Sequence, residues 1–153
     1  METRGDSLSV LVIDEETEVL SFFASILNGS GMRALLARNA NEAIGIANRG
    51  YVPIDVVLTD ILLKPDTAGP DLDSGPELVG RLRRLRPEIR ALYMSAQLES
   101  EVIRIELMDG ESPSLWKRSD YPGLIEAIRT AAVAPMVRTA GFGTRIRGRS
   151  TRR

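Results

Sequence analysis

The sequence predicts an α/β fold, a doubly wound five-stranded parallel sheet in three layers. Three observations lead there. Short apolar runs alternate with stretches of helical periodicity along most of the chain. Two of those runs, Val10-Leu11-Val12-Ile13 and Val56-Val57-Leu58, show no polar alternation, as expected of strands buried on both faces of a parallel sheet. Each of the two closes on a carboxylate, Asp14 and Asp60. Strands alternating with helices imply parallel neighbours joined by right-handed crossovers.

Taken in order, residues 1–7 form a short extension and residues 8–133 carry the pattern. Ser9 to Asp14 reads as the first strand. Behind it Val19, Leu20, Phe23, Ile26 and Leu27 recur at spacings of three and four, one apolar helical stripe that Asn28-Gly29-Ser30-Gly31 ends. Arg33 to Ala37 is a short apolar segment, followed by Asn39-Ala40-Asn41-Glu42, a capping box opening a helix that runs to about Asn48. Ile54 to Asp60 is the next strand, bounded by Pro53 and by Lys64-Pro65. Lys64 to Ser74 is rich in Pro, Gly and Asp and long for a connection in α/β units. Ser74-Gly75-Pro76-Glu77 is a second capping box with Pro in the first turn, where its missing N–H costs nothing, and Leu78, Leu82 and Leu85 mark the buried stripe up to Pro87. Arg90 to Ser95 predicts a fourth strand, residues 101–108 a weaker helix, and Ser114 to Lys117 a fifth strand. Leu124, Ile125, Ile128 and Ala131 give the last helix. From Ala134 the pattern dissolves into a basic tail expected to be disordered.

Composition narrows the function. With 43% hydrophobic and 27% charged residues the chain is that of an ordinary globular domain, and no apolar run approaches the roughly 18 residues of a membrane span. The first nine residues lack the basic-then-apolar order of a secretory signal, so a cytoplasmic location is expected. The absence of Cys rules out disulfides and thiolate metal sites, and the absence of His removes the commonest general base and transition-metal ligand. Any metal must therefore favour oxygen. The net charge of −1 is uneven: the six Arg of residues 134–153, unaccompanied by any acid, leave −7 on residues 1–133.

The ends of parallel strands share one edge, where open α/β sheets bind their ligands. That edge would gather Asp14, Glu15 and Asp60, with Ser95 and Lys117 closing the last two strands. Three carboxylates about 4 Å apart would repel by roughly 4 kcal/mol per pair at an effective dielectric of 20, so they call for a cation or a proton. With oxygen ligands alone, Mg2+ is the natural candidate. Only Lys64 and Lys117 among the 20 basic residues are lysine, and a compact ammonium suits a phosphate as a point charge.

At these residues the sequence resembles the receiver domain of two-component response regulators, of flavodoxin-like fold. The matching segments are Val10-Leu11-Val12-Ile13-Asp14-Glu15, Asp55-Val56-Val57-Leu58-Thr59-Asp60, Ser74-Gly75-Pro76-Glu77-Leu78, Met94-Ser95-Ala96 and Lys117, in the family's order. Among receivers it looks most like those attached to or working with hybrid sensor kinases. The resemblance implies that Asp60 accepts a phosphoryl group from a kinase phosphohistidine. It implies that Asp14, Glu15, Asp60 and the backbone carbonyl of Leu62 hold Mg2+, and that Lys117 and Ser95 take phosphoryl oxygens. Its partners would be a sensor histidine kinase or a phosphotransfer protein. A homodimer through residues 101–108, the fifth strand and the last helix would be usual for the family.

The sequence departs from the family's pattern at four places. Glu15 stands where a second Asp is common, Ser114 where an aromatic switch residue is usual, and Arg118 where Pro usually follows the lysine. The loop after Asp60 is longer than the family's. Trp116 and Tyr93 are nearby candidates to substitute for the aromatic switch. Two other functions compete: a degenerate receiver working by protein contact alone, motivated by Ser114, Arg118 and the long loop, and an Asp-nucleophile phosphohydrolase. The latter would want an acid two residues after Asp60, where Leu62 stands. The Arg tail offers only weak, salt-dependent contacts to nucleic acid.

Overall fold

The computed structural model describes residues 7–63, 67, 74–95, 114–117 and 121–134. Five strands, β1 (Ser9–Ile13), β2 (Arg33–Ala37), β3 (Val56–Asp60), β4 (Arg90–Ser95) and β5 (Ser114–Lys117), form one parallel sheet in the order β2-β1-β3-β4-β5. The described helices are α1 (Thr17–Gly29), α2 (Ala40–Ala47), α3 (Gly75–Leu85) and α4 (Leu124–Val133). The helix expected at 101–108 and the basic tail lie outside the described residues.

Each strand sends alternate side chains to opposite faces, and two cores result. On one side Leu11, Ile13, Val57, Ala91 and Tyr93 pack under α2 and α3 with Ala43, Leu78, Val79 and Leu82. On the other Val10, Val12, Val56, Leu58, Leu92 and Met94 meet α1 and α4 through Leu20, Phe23, Leu27, Leu124 and Ile128. All five residues of β1 are buried, whereas β2, at the sheet edge, is buried only at Ala37. Within α3 the inward residues are Leu78, Val79 and Leu82, while Leu85 is exposed. Leu85 lies seven residues, about two turns, after Leu78 on nearly the same side and is the last residue of the helix.

The element ends follow local chemistry. Asn39 caps α2 by accepting from the Glu42 N–H at 2.9 Å, and Glu42 Oε1 accepts from the Arg38 N–H at 2.7 Å, one residue earlier than the usual reciprocal bond. Ser74 caps α3 in the same manner, accepting from the Glu77 N–H at 3.2 Å. Helix α1 closes on Gly31 at φ 83°, with Met32 N–H donating to the Leu27 carbonyl at 2.9 Å and Gly31 N–H to that of Asn28 at 3.1 Å. This doubly bonded ending needs a left-handed residue, which glycine supplies without a Cβ clash. Strand β3 starts at Val56 rather than Ile54, because Asp55 is occupied in fastening the strand entrances: its N–H donates to the Ser9 carbonyl and its Oδ2 accepts from the Ser9 N–H.

Candidate functional site

The strand order reverses between β1 and β3, since the chain leaves β1 to one side for β2 and returns on the other for β3. A crevice opens beyond strand ends at such a point. A cavity of about 60 Å³ lies there, lined by Ile13, Asp14, Glu15, Glu16, Asp60, Leu63 and Thr67. The three acids expected at the sheet edge thus face one space.

Each is placed by a different element. Asp14 follows β1, is 7% exposed, and its Oδ1 accepts from the Glu16 N–H at 2.9 Å, which sets its rotamer as the chain turns into α1. Glu15 accepts at Oε1 from the Thr67 hydroxyl at 3.2 Å. Asp60 is the last residue of β3, opposite Met94 of β4, and is half-buried above the wholly buried Thr59. The backbone beneath it is drawn tight. Gly75 N–H donates to the Ile61 carbonyl at 2.7 Å, and a Cβ at Gly75 would run into the Asp60 carbonyl oxygen.

Ser95 and Lys117 are register partners at the ends of β4 and β5, on the same sheet edge as Asp60. Leu62, two residues after Asp60, is 44% exposed and pairs with Ser74 in an isolated antiparallel bridge, and the neighbouring Leu63 lines the cavity. Thr67, buried at 5% exposure, is with Glu16 and Leu63 one of the cavity residues that the sequence did not mark.

Among the described residues no three acids converge as a ready-made metal cage. The donor set still suits Mg2+, which usually keeps several waters, so that some of the carboxylates can bind it directly and others through its water shell. Asp14, Glu15 and Asp60 offer the oxygens, and the cavity has room for a small ion with part of its water shell.

Residues 10–129 match the family model of the response regulator receiver domain. The chain belongs to that family. It is similar to a response regulator receiver protein of Anaeromyxobacter sp. strain Fw109-5, at 26% identity over 76% of this chain, and spans 45% of that relative's length. It is also 27% identical to an uncharacterized 14.6 kDa protein of Leptolyngbya boryana, over 83% of this chain and 92% of the relative. Among solved structures, a CheY-like receiver domain from Methanospirillum hungatei superposes with a TM-score of 0.63 at 22% identity, covering 82% of this chain and 93% of that one. A receiver domain from Clostridium thermocellum gives 0.64 at 23%, covering 82% and 94%. These likenesses show the receiver fold, and the five-stranded sheet described above is that fold.

Trp116 and Tyr93, the candidate substitutes for the aromatic switch, are both buried. Trp116 is 3% exposed and packs edge-on against Phe23 and Tyr121 at centroid distances of 5.9 and 5.6 Å, and Tyr93 is 3% exposed in the opposite core. Both are core residues in this receiver.

Proposed function

We propose that this receiver domain accepts a phosphoryl group on Asp60 from the phosphohistidine of a sensor kinase or phosphotransfer protein and relays the event as a change in protein contacts. The observation that carries the reading is the shared cavity of Asp14, Glu15 and Asp60 at the sheet's reversal point, with Ser95 and Lys117 ending the adjoining strands on the same edge. An Asp60 carboxylate oxygen attacks the phosphorus in line; the P–N bond breaks and the imidazole leaves with its electron pair and takes up a proton. Asp14 and Glu15, each fixed by a hydrogen bond, are the residues that with Asp60 would hold Mg2+, whose charge would stabilise the phosphoryl oxygens. Ser95 and Lys117 take phosphoryl oxygens in this reading, and the Ser95 hydroxyl, drawn to the phosphate, shifts the loop that follows. The chain turns over no external substrate: it catalyses only its own phosphorylation and dephosphorylation. Among the described residues no helix is long and apolar enough to cross a membrane, which agrees with a cytoplasmic phosphorelay component.

A second reading is favoured by Ser114 together with the buried state of Trp116 and Tyr93: a receiver that engages partners without phosphorylation. Intact mass after incubation with Mg2+ and acetyl phosphate separates the two. One added phosphoryl group, absent in Asp60→Asn, supports the phosphoacceptor. An unchanged mass in the wild type sinks that reading in favour of the contact module.

A further inference from the structure

Thr67 lies in the connection from β3 to α3, yet its hydroxyl reaches a carboxylate 52 residues earlier in the chain. A buried threonine usually satisfies its hydroxyl on a nearby backbone group. Here Thr67 is 5% exposed and donates to Glu15 Oε1 at 3.2 Å, and both residues line the cavity that holds Asp14 and Asp60. The two ends of its connection are fastened together under Asp60, by the bridge of Leu62 to Ser74 and by the bond from Gly75 N–H to the Ile61 carbonyl. The same backbone that carries Asp60 therefore carries the residue that grips Glu15.

Glutamate is among the side chains that lose most rotamer freedom when ordered. An Asp at position 15 would be ordered by its shorter stem; a Glu needs a second point of attachment. A carboxylate has about four acceptor sites, so one bond from Thr67 can orient it without exhausting its capacity for a cation.

We propose that Thr67 is a positioning residue for the metal site: it orients Glu15 so that Glu15, Asp14 and Asp60 together take Mg2+. This rests on the phosphoacceptor reading, in which the cavity binds that ion. The hydroxyl supplies in this chain what a shorter acid at position 15 would supply by itself, so Thr67 and Glu15 work as a pair.

The test is Mg2+ titration by calorimetry on the full chain, with melting temperatures of the metal-free proteins. Thr67→Val, nearly isosteric and lacking the hydroxyl, is expected to weaken Mg2+ about tenfold, the size of one hydrogen bond to a charged group. Thr67→Ser keeps the donor and is expected to stay within about twofold of the wild type. In a Glu15→Asp background, where the acid no longer reaches the hydroxyl, Thr67→Val should have no further effect on affinity, a coupling that a double-mutant cycle isolates. Unchanged Mg2+ affinity in Thr67→Val with a lowered melting temperature would overturn the proposal and leave Thr67 as a loop tether. An equal loss in the Glu15→Asp background would overturn it as well. A wild-type chain that binds no Mg2+ would instead refute the metal-dependent reading itself, and the role of Thr67 with it.

Discussion

At the scale of single residues, the surroundings of Asp60 leave little slack. Gly75 has no room for a Cβ, which would collide with the Asp60 carbonyl, a backbone atom that cannot rotate away. Gly75→Ala must therefore displace either the first turn of α3 or the end of β3. Forced overpacking of this kind costs about 1–3 kcal/mol. We expect Gly75→Ala to lower the urea midpoint by the upper part of that range with an unchanged denaturant slope, and to slow phosphoryl uptake from acetyl phosphate. A wild-type midpoint would mean that α3 can slide outward at no cost. Asp14 differs in kind: its constraint is polar, through the Glu16 N–H, and the sharp turn from β1 into α1 is what delivers it to the cavity.

At the scale of elements, caps decide where helices meet the site. Ser74 is both the N-cap of α3 and the partner of Leu62 in the bridge that closes the long connection. Loss of an N-cap side chain costs about 1 kcal/mol when replaced by Ala but only a few tenths, roughly 0.3 kcal/mol, when replaced by Gly, whose exposed backbone is better solvated. Ser74→Ala should thus be clearly less stable than Ser74→Gly in chemical denaturation, and the reverse order would show that the bridge rather than the cap holds this end. Elsewhere Arg86 ties two elements together, its guanidinium donating to the Ala47 carbonyl at 3.1 Å and the Arg49 carbonyl at 2.6 Å beyond the end of α2. It satisfies carbonyls that a helix C-terminus leaves without internal partners.

At the scale of the molecule, the sheet separates two cores, and Phe22, Phe23, Trp116 and Tyr121 gather on one side while Tyr93 lies in the other core. Phe23, wholly buried, touches Trp116 and Tyr121, while Phe22 meets Tyr121 edge-on at 4.9 Å. Phe23→Ala would leave a cavity beside β5 and is expected to cost about 3–5 kcal/mol, a large share of the roughly 5–15 kcal/mol that stabilises a typical domain. Trp116 is the sole tryptophan, so its emission during urea unfolding reads this core directly. A loss below about 1 kcal/mol would mean that α1 and α4 close over the gap.

The sequence alone determined the type of each described strand and α-helix. The uninterrupted apolar runs at Val10–Ile13 and Val56–Leu58 suit burial on both faces of a parallel sheet, and the Asn39 and Ser74 boxes carry their cap chemistry locally. Asp14, Glu15 and Asp60 were legible because topology places strand ends on one edge whatever the packing details. Tertiary structure decided what depends on distant partners. The half-exposed state of β2 follows from its place at the edge, and the late start of β3 from the pairing of Asp55 with Ser9. It placed Leu63 at the cavity and buried Trp116 and Tyr93. The bond from Thr67 to Glu15 is the clearest case: a lone hydroxyl in a loop rich in Pro, Gly and Asp has no pattern of its own, and acquires a role only when a folded chain brings it against a carboxylate.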